Sequence, residues 1–530
     1  MPLKNYFLYV SVFIVLSCNK NNTLATSEDD ALLKDQETEE IARPIPETLL
    51  EHKSDSIRLY YHLFRNKEIW YNSINRKALL SEIENCGKDG LFSKDYEFAK
   101  LSELEKKHSE LNDDESIAYD FLLTEMFEKL AHHLHGGKLN PKKIYDDWDL
   151  NPKKIALSKR LEKAIMEKQV SQLFDSLKPQ HYVYSTIKKS LVLLNAFPDT
   201  DFKKIQLAKK IELNDTIDVM INIKKRLAYW NDYKPKDSII TAVYDSITYL
   251  AVKKFQNRHG LIPDGVIGNG TIKALNYSKS ERREQIFANL ERWKWFPDDF
   301  GSDYLIANLP EYKIYYIVNK DTISVHNIVV GKPSRKTPVL TSKLSNFVFN
   351  PTWTVPPTII KEDLTPSASK NREYFERNRI TIFNKSGEVI APSDWNPEKA
   401  KTFRYVQTSG YNNSLGLVKF NFPNRHLVYL HDTNHRDYFS RETRALSSGC
   451  VRIEKPLDLA EMILKKEDAK KWNRTEIDSI LSKKNSRIVN LNSTVNVFFL
   501  YWTNWSKSNQ LYFCNDMYGY DKKLFELLRN

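Results

Sequence analysis

Residues 427–452 read LVYLHDTNHRDYFSRETRALSSGCVR, and this stretch combines a strand pattern with two side chains suited to nucleophilic chemistry. Its first four residues are apolar or aromatic and predict a strand that ends at His431. Cys450 follows nineteen positions later, directly after Gly449. Further on, KPLDLA at residues 455–460 has Pro456 at a suitable first helical position, so a helix is expected there.

A cysteine beside a glycine, with a histidine upstream, provides the groups that covalent acyl transfer needs. The thiolate is the nucleophile, and an imidazole can take the thiol proton and later give it to a leaving amine. Gly449 would let main-chain N–H groups approach an oxyanion. The pair of Cys450 and His431 therefore indicates a cysteine enzyme, but taken alone it does not distinguish a transferase from a generic cysteine protease.

The region around this motif has the period-two alternation of a β-domain, predicted over residues 280–490. Strands are expected at residues 304–309, 313–318, 322–330, 347–355 and 427–431.

Two features interrupt or end this pattern. Residues 358–402 form a polar, partly helical insert, and an insert of that length in a β-domain is usually functional, often a lid. Residues 491–530 are expected to close the domain with a hairpin. Its arms are predicted at residues 495–501 and 511–513, with a turn at 506–509.

The chain upstream is helical. Residues 46–204 have apolar side chains at three- and four-residue steps and predict a helical scaffold. Residues 205–279 predict a smaller helical unit. It contains AVKKFQ at 251–256, followed by Asp264-Gly265 and by a glycine turn in which Thr271 can cap a helix. This run resembles the small peptidoglycan-binding domain of many wall hydrolases; a helical linker with a glycine turn is the alternative.

The first residues predict export. Residues 6–16 form a short apolar run after Lys4, with the length of a signal-peptide core, and Ser17-Cys18 follows it. VLSC at 15–18 resembles a lipobox, which makes Cys18 a candidate for lipidation and residues 1–18 a lipoprotein signal peptide. Residues 19–45 are polar and predict a disordered tether. An ordinary signal peptide with an incidental cysteine is the alternative.

Composition narrows the class of protein. The 530 residues are too many for one core, and the formal net charge of +12 suits an anionic partner or simply a lysine-rich surface. No nucleic-acid motif accompanies the charge, so nucleic acid is not expected as a partner. The four cysteines have no metal-ligand spacing, so no metal or other cofactor is expected. Cys86 and Cys514 are either buried small residues or a disulfide pair.

The blocks around Cys450 resemble the active-site motifs of L,D-transpeptidases with the YkuD fold, and among these the large YcbB-like subgroup. The similar segments are LGLVKF at 415–420, FPN at 422–424, YLHDT at 429–433, RALSSGCVR at 444–452, NLPEY at 308–312, GKP at 331–333, TPV at 337–339 and NPTWTVPP at 350–357. Many family members have His-Gly-Cys where this chain has Ser448 before Gly449, and the YcbB-like form matches the serine.

The resemblance implies a multidomain α+β protein: a mostly β catalytic domain with a capping insert, a helical scaffold and a peptidoglycan-binding domain. Cys450 would attack the carbonyl of the third residue of a peptidoglycan stem tetrapeptide, release D-alanine and form a thioester. The side-chain amine of a second stem would then complete a 3→3 cross-link. His431 would move the proton, oriented by the main-chain carbonyl of Asp432. The N–H groups of Gly449 and Cys450 would form the oxyanion hole.

Further site residues follow from the same resemblance. Arg452 and Ser447 would shape the pocket, and Ser448 and Tyr429 are the other candidate substrate-binding residues. Lys419 and Arg444 fit surface ion pairs as well as substrate ligands. Carbapenem-type β-lactams are expected to acylate Cys450. The lipid anchor would hold the protein in the periplasm, more readily at the outer than the inner membrane.

Other functions remain open at this point. The same acyl-enzyme could be resolved by water or by a free D-amino acid, giving an L,D-carboxypeptidase or an exchange enzyme. A lipoprotein that only binds peptidoglycan through residues 205–279 is a third possibility, against which the intact Cys450/His431 pair argues.

Overall fold

The computed structural model describes residues 41–235 and 239–530. The predicted signal peptide, Cys18 and the predicted tether up to residue 40 lie outside the described residues. Within the described ranges, no helix has both the length and the apolar character that crossing a bilayer requires.

A group of helices forms the first part of the described chain, as the three- and four-residue periodicity predicts. The longest of them begins with a capping box, in which the Asn112 side chain accepts from the Glu115 N–H and the Glu115 carboxylate accepts from the Asn112 N–H, both at 3.0 Å. The helices are α1 Glu47–Leu50, α2 Asp55–Leu63, α3 Ser73–Asn85, α4 Phe98–Lys106, α5 Asp113–Gly136, α6 Ser158–Met166, α7 Val170–Leu177 and α8 Tyr182–Asn195.

These helices contribute to two apolar cores. The side chains of α2 to α7 pack with one another. Those of α8 instead join a second, larger core that also includes the following helices and the β-domain. The last helix of the predicted scaffold is therefore packed against the part of the chain that holds the candidate site.

A small helical unit follows, built from α9 Val219–Tyr229, α10 Ser246–Arg258 and α11 Asn269–Leu275. The Gln256 side chain organises its glycine turn: its amide donates to the Val266 carbonyl at 2.9 Å, and its carbonyl accepts from the Gly265 N–H at 2.9 Å. The prediction that Thr271 caps the last helix was wrong. Gly268 is the N-cap, and Thr271 lies inside the helix, where its hydroxyl is 3.2 Å from the Gln256 amide.

The remaining helices surround the β-domain or lie within it. They are α12 Lys279–Lys294, α13 Pro357–Ile359, α14 Thr365–Lys370, α15 Tyr374–Arg377, α16 Pro456–Glu467, α17 Arg474–Ser482 and α18 Tyr520–Arg529. Helix α16 begins at Pro456, as the sequence predicts.

The strands form one large sheet and two small ones. They are β1 Asp303–Asn308, β2 Lys313–Val318, β3 Asp321–Gly331, β4 Leu340–Lys343, β5 Asn346–Phe349, β6 Trp353–Thr354, β7 Ile380–Phe383, β8 Val389–Ile390, β9 Arg404–Gln407, β10 Val418–Asn421, β11 Leu430–His431, β12 Ala445–Ser447, β13 Val451–Ile453, β14 Arg487–Asn490, β15 Asn496–Leu500, β16 Asn504–Lys507 and β17 Gln510–Phe513.

The order of the large sheet is β14-β5-β10-β11-β13-β3-β2-β1-β15-β4, and β12 also pairs with β3. Two strand predictions were too long. Residues 347–355 are split between β5 and β6, in different sheets, because Asn350 has a φ of +46° and turns the chain. Of residues 427–431 only the last two form a strand, and Leu427 is exposed with a φ of +54°.

The predicted C-terminal hairpin was wrong in one arm. Strand β15 pairs parallel with β1 and antiparallel with β4, so it belongs to the large sheet. The hairpin is β16–β17, and its turn is at Ser508 and Asn509, both with positive φ. Burial explains why β15 pairs within the large sheet. Four of its five residues are buried there, and they would be exposed in a hairpin arm at the surface.

The insert has a core of its own and is longer at both ends than the predicted 358–402, since it extends from Trp353 to Gln407. Strands β6, β9, β7 and β8 form a four-stranded sheet, and buried apolar residues from Val355 to Tyr405 pack beneath it. A five-residue π-helical turn, Ile360–Leu364, joins α13 to α14. The insert is therefore a separately packed unit that leaves the large sheet after β5 and rejoins it at β10, the neighbour of β11 with His431.

Candidate active site

Three neighbouring strands bring the predicted catalytic side chains to one face of the large sheet. Lys419 of β10 lies opposite His431 of β11, and His431 lies opposite Arg452 of β13. Lys419, His431 and Arg452 therefore share one face of the sheet. Tyr429 and Cys450 lie just before β11 and β13, two residues ahead of His431 and Arg452. The centroid of the Tyr429 ring is 5.5 Å from that of the His431 ring, and the Tyr429 hydroxyl interacts with the Cys450 thiol, so the five side chains meet at one site.

The His431 imidazole is buried and oriented by the main chain. Its Nδ1 donates to the carbonyl of Asp432, which leaves Nε2 as the nitrogen that can accept a proton. Burial, together with the charges of Arg452 and Lys419, lowers the pKa of His431 to about 3, although the bond to Asp432 acts in the opposite direction. The ring is therefore neutral at pH 7 and can act as a base.

The Cys450 side chain is half-buried. Burial raises the pKa of its thiol, whereas the main chain and hydroxyl of Tyr429 and the charges of Lys419 and Arg452 stabilise the thiolate. The Tyr429 hydroxyl also interacts with the Trp353 indole. The site at rest thus holds a neutral thiol and a neutral imidazole.

The turn before Cys450 requires glycine. Gly449 has a φ of +112°, and a Cβ there would lie 3.4 Å from the Lys336 carbonyl oxygen. Its N–H donates to the Ser447 hydroxyl at 3.1 Å, and that hydroxyl donates to the Cys450 carbonyl at 2.6 Å. The Cys450 N–H has no acceptor in the described part of the chain. Of the two N–H groups predicted for the oxyanion hole, one is therefore bonded to Ser447 and one is available.

A buried hydroxyl beneath this turn was missed in the sequence. Thr337 donates to the Gly449 carbonyl at 2.8 Å and accepts from the Gly331 N–H at 2.8 Å. Tyr518, far along the chain, donates to the Gly331 carbonyl at 2.7 Å and accepts from the Thr337 N–H at 3.1 Å. In the sequence, the TPV motif at 337–339 is the one signal for the Thr337 segment. The residues around Tyr518 contain no motif that predicts its contact with Gly331.

The Asp432 side chain has a structural contact of its own. Its carboxylate accepts from the Leu417 N–H at 2.8 Å and from the Arg436 guanidinium at 2.7 Å. Gly416 makes room for it, since a Cβ there would be 2.2 Å from the carboxylate oxygen. These contacts hold the Asp432 main chain, and with it the carbonyl that orients His431.

The Arg452 guanidinium is only partly satisfied by the described residues. Its Nε and Nη1 atoms are buried without a hydrogen bond among the described residues, and its Cζ lies 5.7 Å from the centroid of the Tyr438 ring. A guanidinium in this condition can bind a carboxylate that enters the site.

Ser448 is connected to the insert. The Arg335 guanidinium donates to the Ser448 hydroxyl at 2.7 Å and pairs with Asp363 at 2.8 Å and with Glu362. Both acidic residues lie in the π-helical turn of the insert. Arg335 was not identified from the sequence, and it joins the loop before Cys450 to the predicted lid.

Two further cysteines lie among the described residues. Cys86 and Cys514 are both buried and free, so they are not a disulfide pair. Burial raises the pKa of Cys86 to about 12. No group of three or more His, Cys, Asp or Glu side chains in the described ranges is arranged to hold a metal ion.

Three family models match successive parts of the chain. The model of a scaffold domain matches residues 55–191, that of a "Putative peptidoglycan binding domain" matches 218–275, and that of the L,D-transpeptidase catalytic domain matches 302–477. The protein is thus multidomain, with a helical N-terminal region, a peptidoglycan-binding domain and a mostly β L,D-transpeptidase catalytic domain.

A relative from Haemophilus influenzae, described as "Putative L,D-transpeptidase", is 35% identical over 248 residues, which are 46% of this chain and 50% of the relative. The chain therefore spans about half the length of this curated relative.

Solved L,D-transpeptidase structures also align with parts of the chain. One from Xylanimonas cellulosilytica has 15% identity and a TM-score of 0.17, covering 56% of this chain and 98% of its own. One from Stackebrandtia nassauensis has 14% identity and a TM-score of 0.21, covering 57% and 97%. An Ldtfm–avibactam carbamoyl enzyme has 12% identity and a TM-score of 0.18, covering 38% and 51%.

Proposed function

We propose that this protein is an L,D-transpeptidase that forms 3→3 peptidoglycan cross-links through a thioester on Cys450, with release of D-alanine. The observation that carries the proposal is that Tyr429 contacts both the Cys450 thiol and a neutral, main-chain-oriented His431. The catalytic-domain match over residues 302–477 gives the reaction class.

The first half-reaction forms the acyl-enzyme. His431 Nε2 takes the thiol proton as the Cys450 sulfur bonds to the carbonyl carbon of the third stem residue. The oxyanion is stabilised by the Cys450 N–H, joined by the Gly449 N–H when it leaves Ser447. The C–N bond to D-alanine then breaks, and His431 returns the proton to the departing amine. The product is a thioester on Cys450.

The second half-reaction regenerates the thiol. The side-chain amine of an acceptor stem attacks the thioester carbonyl, and His431 takes a proton from that amine. The C–S bond breaks, and the proton passes to the sulfur. A new amide bond remains between the two stems, and no cofactor is consumed.

Roles in forming the substrate pocket are proposed for four side chains. Arg452 suits a carboxylate of the stem peptide, because its buried nitrogens have no partner among the described residues. Tyr429 would line the pocket beside the sulfur. Ser447 holds the turn, and Ser448 would meet the substrate beneath the insert.

We further propose that the protein belongs to the large YcbB-like subgroup and is attached to a membrane through lipidated Cys18. The scaffold and peptidoglycan-binding matches, together with an insert that has its own core, support the first point. The peptidoglycan-related domains indicate a place in the cell envelope. A periplasmic site, at the outer membrane more than the inner, is proposed from the sequence.

Product analysis tests this function. Purified residues 19–530 are mixed with disaccharide-tetrapeptide, and the products are weighed by mass spectrometry. A dimer one D-alanine lighter than two monomers, absent with Cys450→Ala, is the expected result. Disaccharide-tripeptide alone would mean an L,D-carboxypeptidase. No product, with Cys450 still reactive as a thiol, would refute the transpeptidase under these conditions and favour the binding-only alternative.

A further inference from the structure

We propose that the Lys419 ammonium, held against the Tyr429 ring, is the positive charge that stabilises the Cys450 thiolate as it forms. Lys419 is thus an electrostatic positioning residue, and this role rests on the proposed use of Cys450 as nucleophile.

The geometry joins Lys419 to the sulfur through one side chain. Lys419 Nζ lies 3.9 Å from the centroid of the Tyr429 ring. The Tyr429 hydroxyl interacts in turn with the Cys450 thiol. Because Lys419 is paired with His431 across β10 and β11, its side chain starts from the same face of the sheet.

The charge of Lys419 is not neutralised by the protein. Among the described residues, its ammonium has no hydrogen bond and no carboxylate within 4.0 Å. Other buried lysines of this chain are paired: Lys224 with Asp245 at 2.7 Å and Lys294 with Glu291 at 3.2 Å. Keeping a half-buried lysine charged without a paired carboxylate costs free energy. That cost is reduced if an anion forms nearby during the reaction.

Of the other groups that face Cys450, two carry no charge at rest. His431 is neutral, and Tyr429 is an uncharged donor. Arg452 is the second cation, but Lys419 lowers the pKa of the Cys450 thiol more than Arg452 does, against the larger effect of burial. Burial lowers the pKa of Lys419, and the Cys450 sulfur raises it, as expected of two coupled charges.

The effect of Lys419 on the pKa of the Cys450 thiol can be measured without any peptidoglycan. Removing a cation that acts on a thiolate raises the pKa of the thiol, by roughly one unit for a charge at close range. The sign follows from charge: without Lys419 the thiolate is less stable, so a higher pH is needed to form it.

The test is the pH dependence of iodoacetamide alkylation, followed by mass spectrometry of the peptide that carries Cys450. In Lys419→Met the midpoint should rise by about one pH unit, with a roughly tenfold slower alkylation below the midpoint. Lys419→Arg should keep the wild-type midpoint, and Lys343→Met, an exposed lysine on β4, is the matched control. If Lys419→Met does not fold, Lys419→Gln serves the same purpose.

Three outcomes would overturn the proposal. The first is an unchanged midpoint in the neutral variants. The second is an equal rise in Lys419→Arg, which would mean a packing role. The third is a higher KM for the stem substrate with no change of thiol pKa, which would make Lys419 a substrate ligand. Alkylation needs no substrate, so it can be measured even if the protein fails to form cross-links. Failure of the Lys419 proposal and failure of the proposed function can therefore be distinguished.

Discussion

Replacing Thr337 by valine removes the hydroxyl that supports the turn before Cys450, with almost no change in side-chain volume. Thr337 is fully buried, and its hydroxyl bonds to the Gly331 N–H and the Gly449 carbonyl, both at 2.8 Å. Valine leaves both main-chain groups without a partner. At about 1–1.5 kcal/mol for each lost bond, the local free energy of opening falls by about 2–3 kcal/mol.

Hydrogen exchange measures this loss where it occurs. In Thr337→Val, amide exchange in peptides covering residues 329–337 and 445–453 should be roughly 30- to 150-fold faster, since 1.4 kcal/mol corresponds to a factor of ten. Thr337→Ser keeps the hydroxyl and should exchange much more slowly than the valine variant. The reasoning is refuted if Thr337→Val exchanges within twofold of the wild type, or if the serine variant exchanges as fast as the valine variant.

Three further predictions concern the same site. Arg335→Ala should free the insert from Ser448 and raise amide exchange in residues 360–370 about fivefold, as the loss of about 1 kcal/mol of exposed ion pairs implies; unchanged exchange would contradict it. His431→Asn should remove an acid sensitivity. The folded pKa near 3 lies below the usual 6.5, so the wild type loses stability relative to the variant as pH falls from 6.5 towards 3, by up to about 1.4 kcal/mol per pH unit. Parallel pH profiles of the two thermal midpoints would be evidence against this. Meropenem should add one drug mass to the protein, and Cys450→Ala should stay unmodified; a modified alanine variant would place the adduct elsewhere.

Much of the β-domain could be predicted because its strands are local patterns. Strand β2 was predicted with its observed bounds, and β1 and β3 were predicted to within one residue at each end. Their alternation reflects which side chains face the core, and that information is contained in each segment.

Strand partners were harder to predict than strands. The β15 segment reads as a hairpin arm because an alternating run followed by a turn is the usual local signal. Its true partner β1 lies almost two hundred residues away, and the choice depends on the apolar core that both enter. Burial in the folded protein decided the pairing, and no local pattern reports it.

The site residues also fall into a group that local motifs predict and a group that they do not. His431, Cys450 and Gly449 lie in short motifs whose chemistry can be read directly. Arg335 and Tyr518 act through contacts across more than a hundred residues, so only the folded chain reveals them.

The most direct test of the account is the intact mass of the purified protein mixed with disaccharide-tetrapeptide and no acceptor in excess. The account predicts an added mass equal to the disaccharide-tripeptide acyl group, located on Cys450, released by hydroxylamine and absent in Cys450→Ala. Cross-linked product formed by Cys450→Ala, or an acyl group found on another residue, would contradict it.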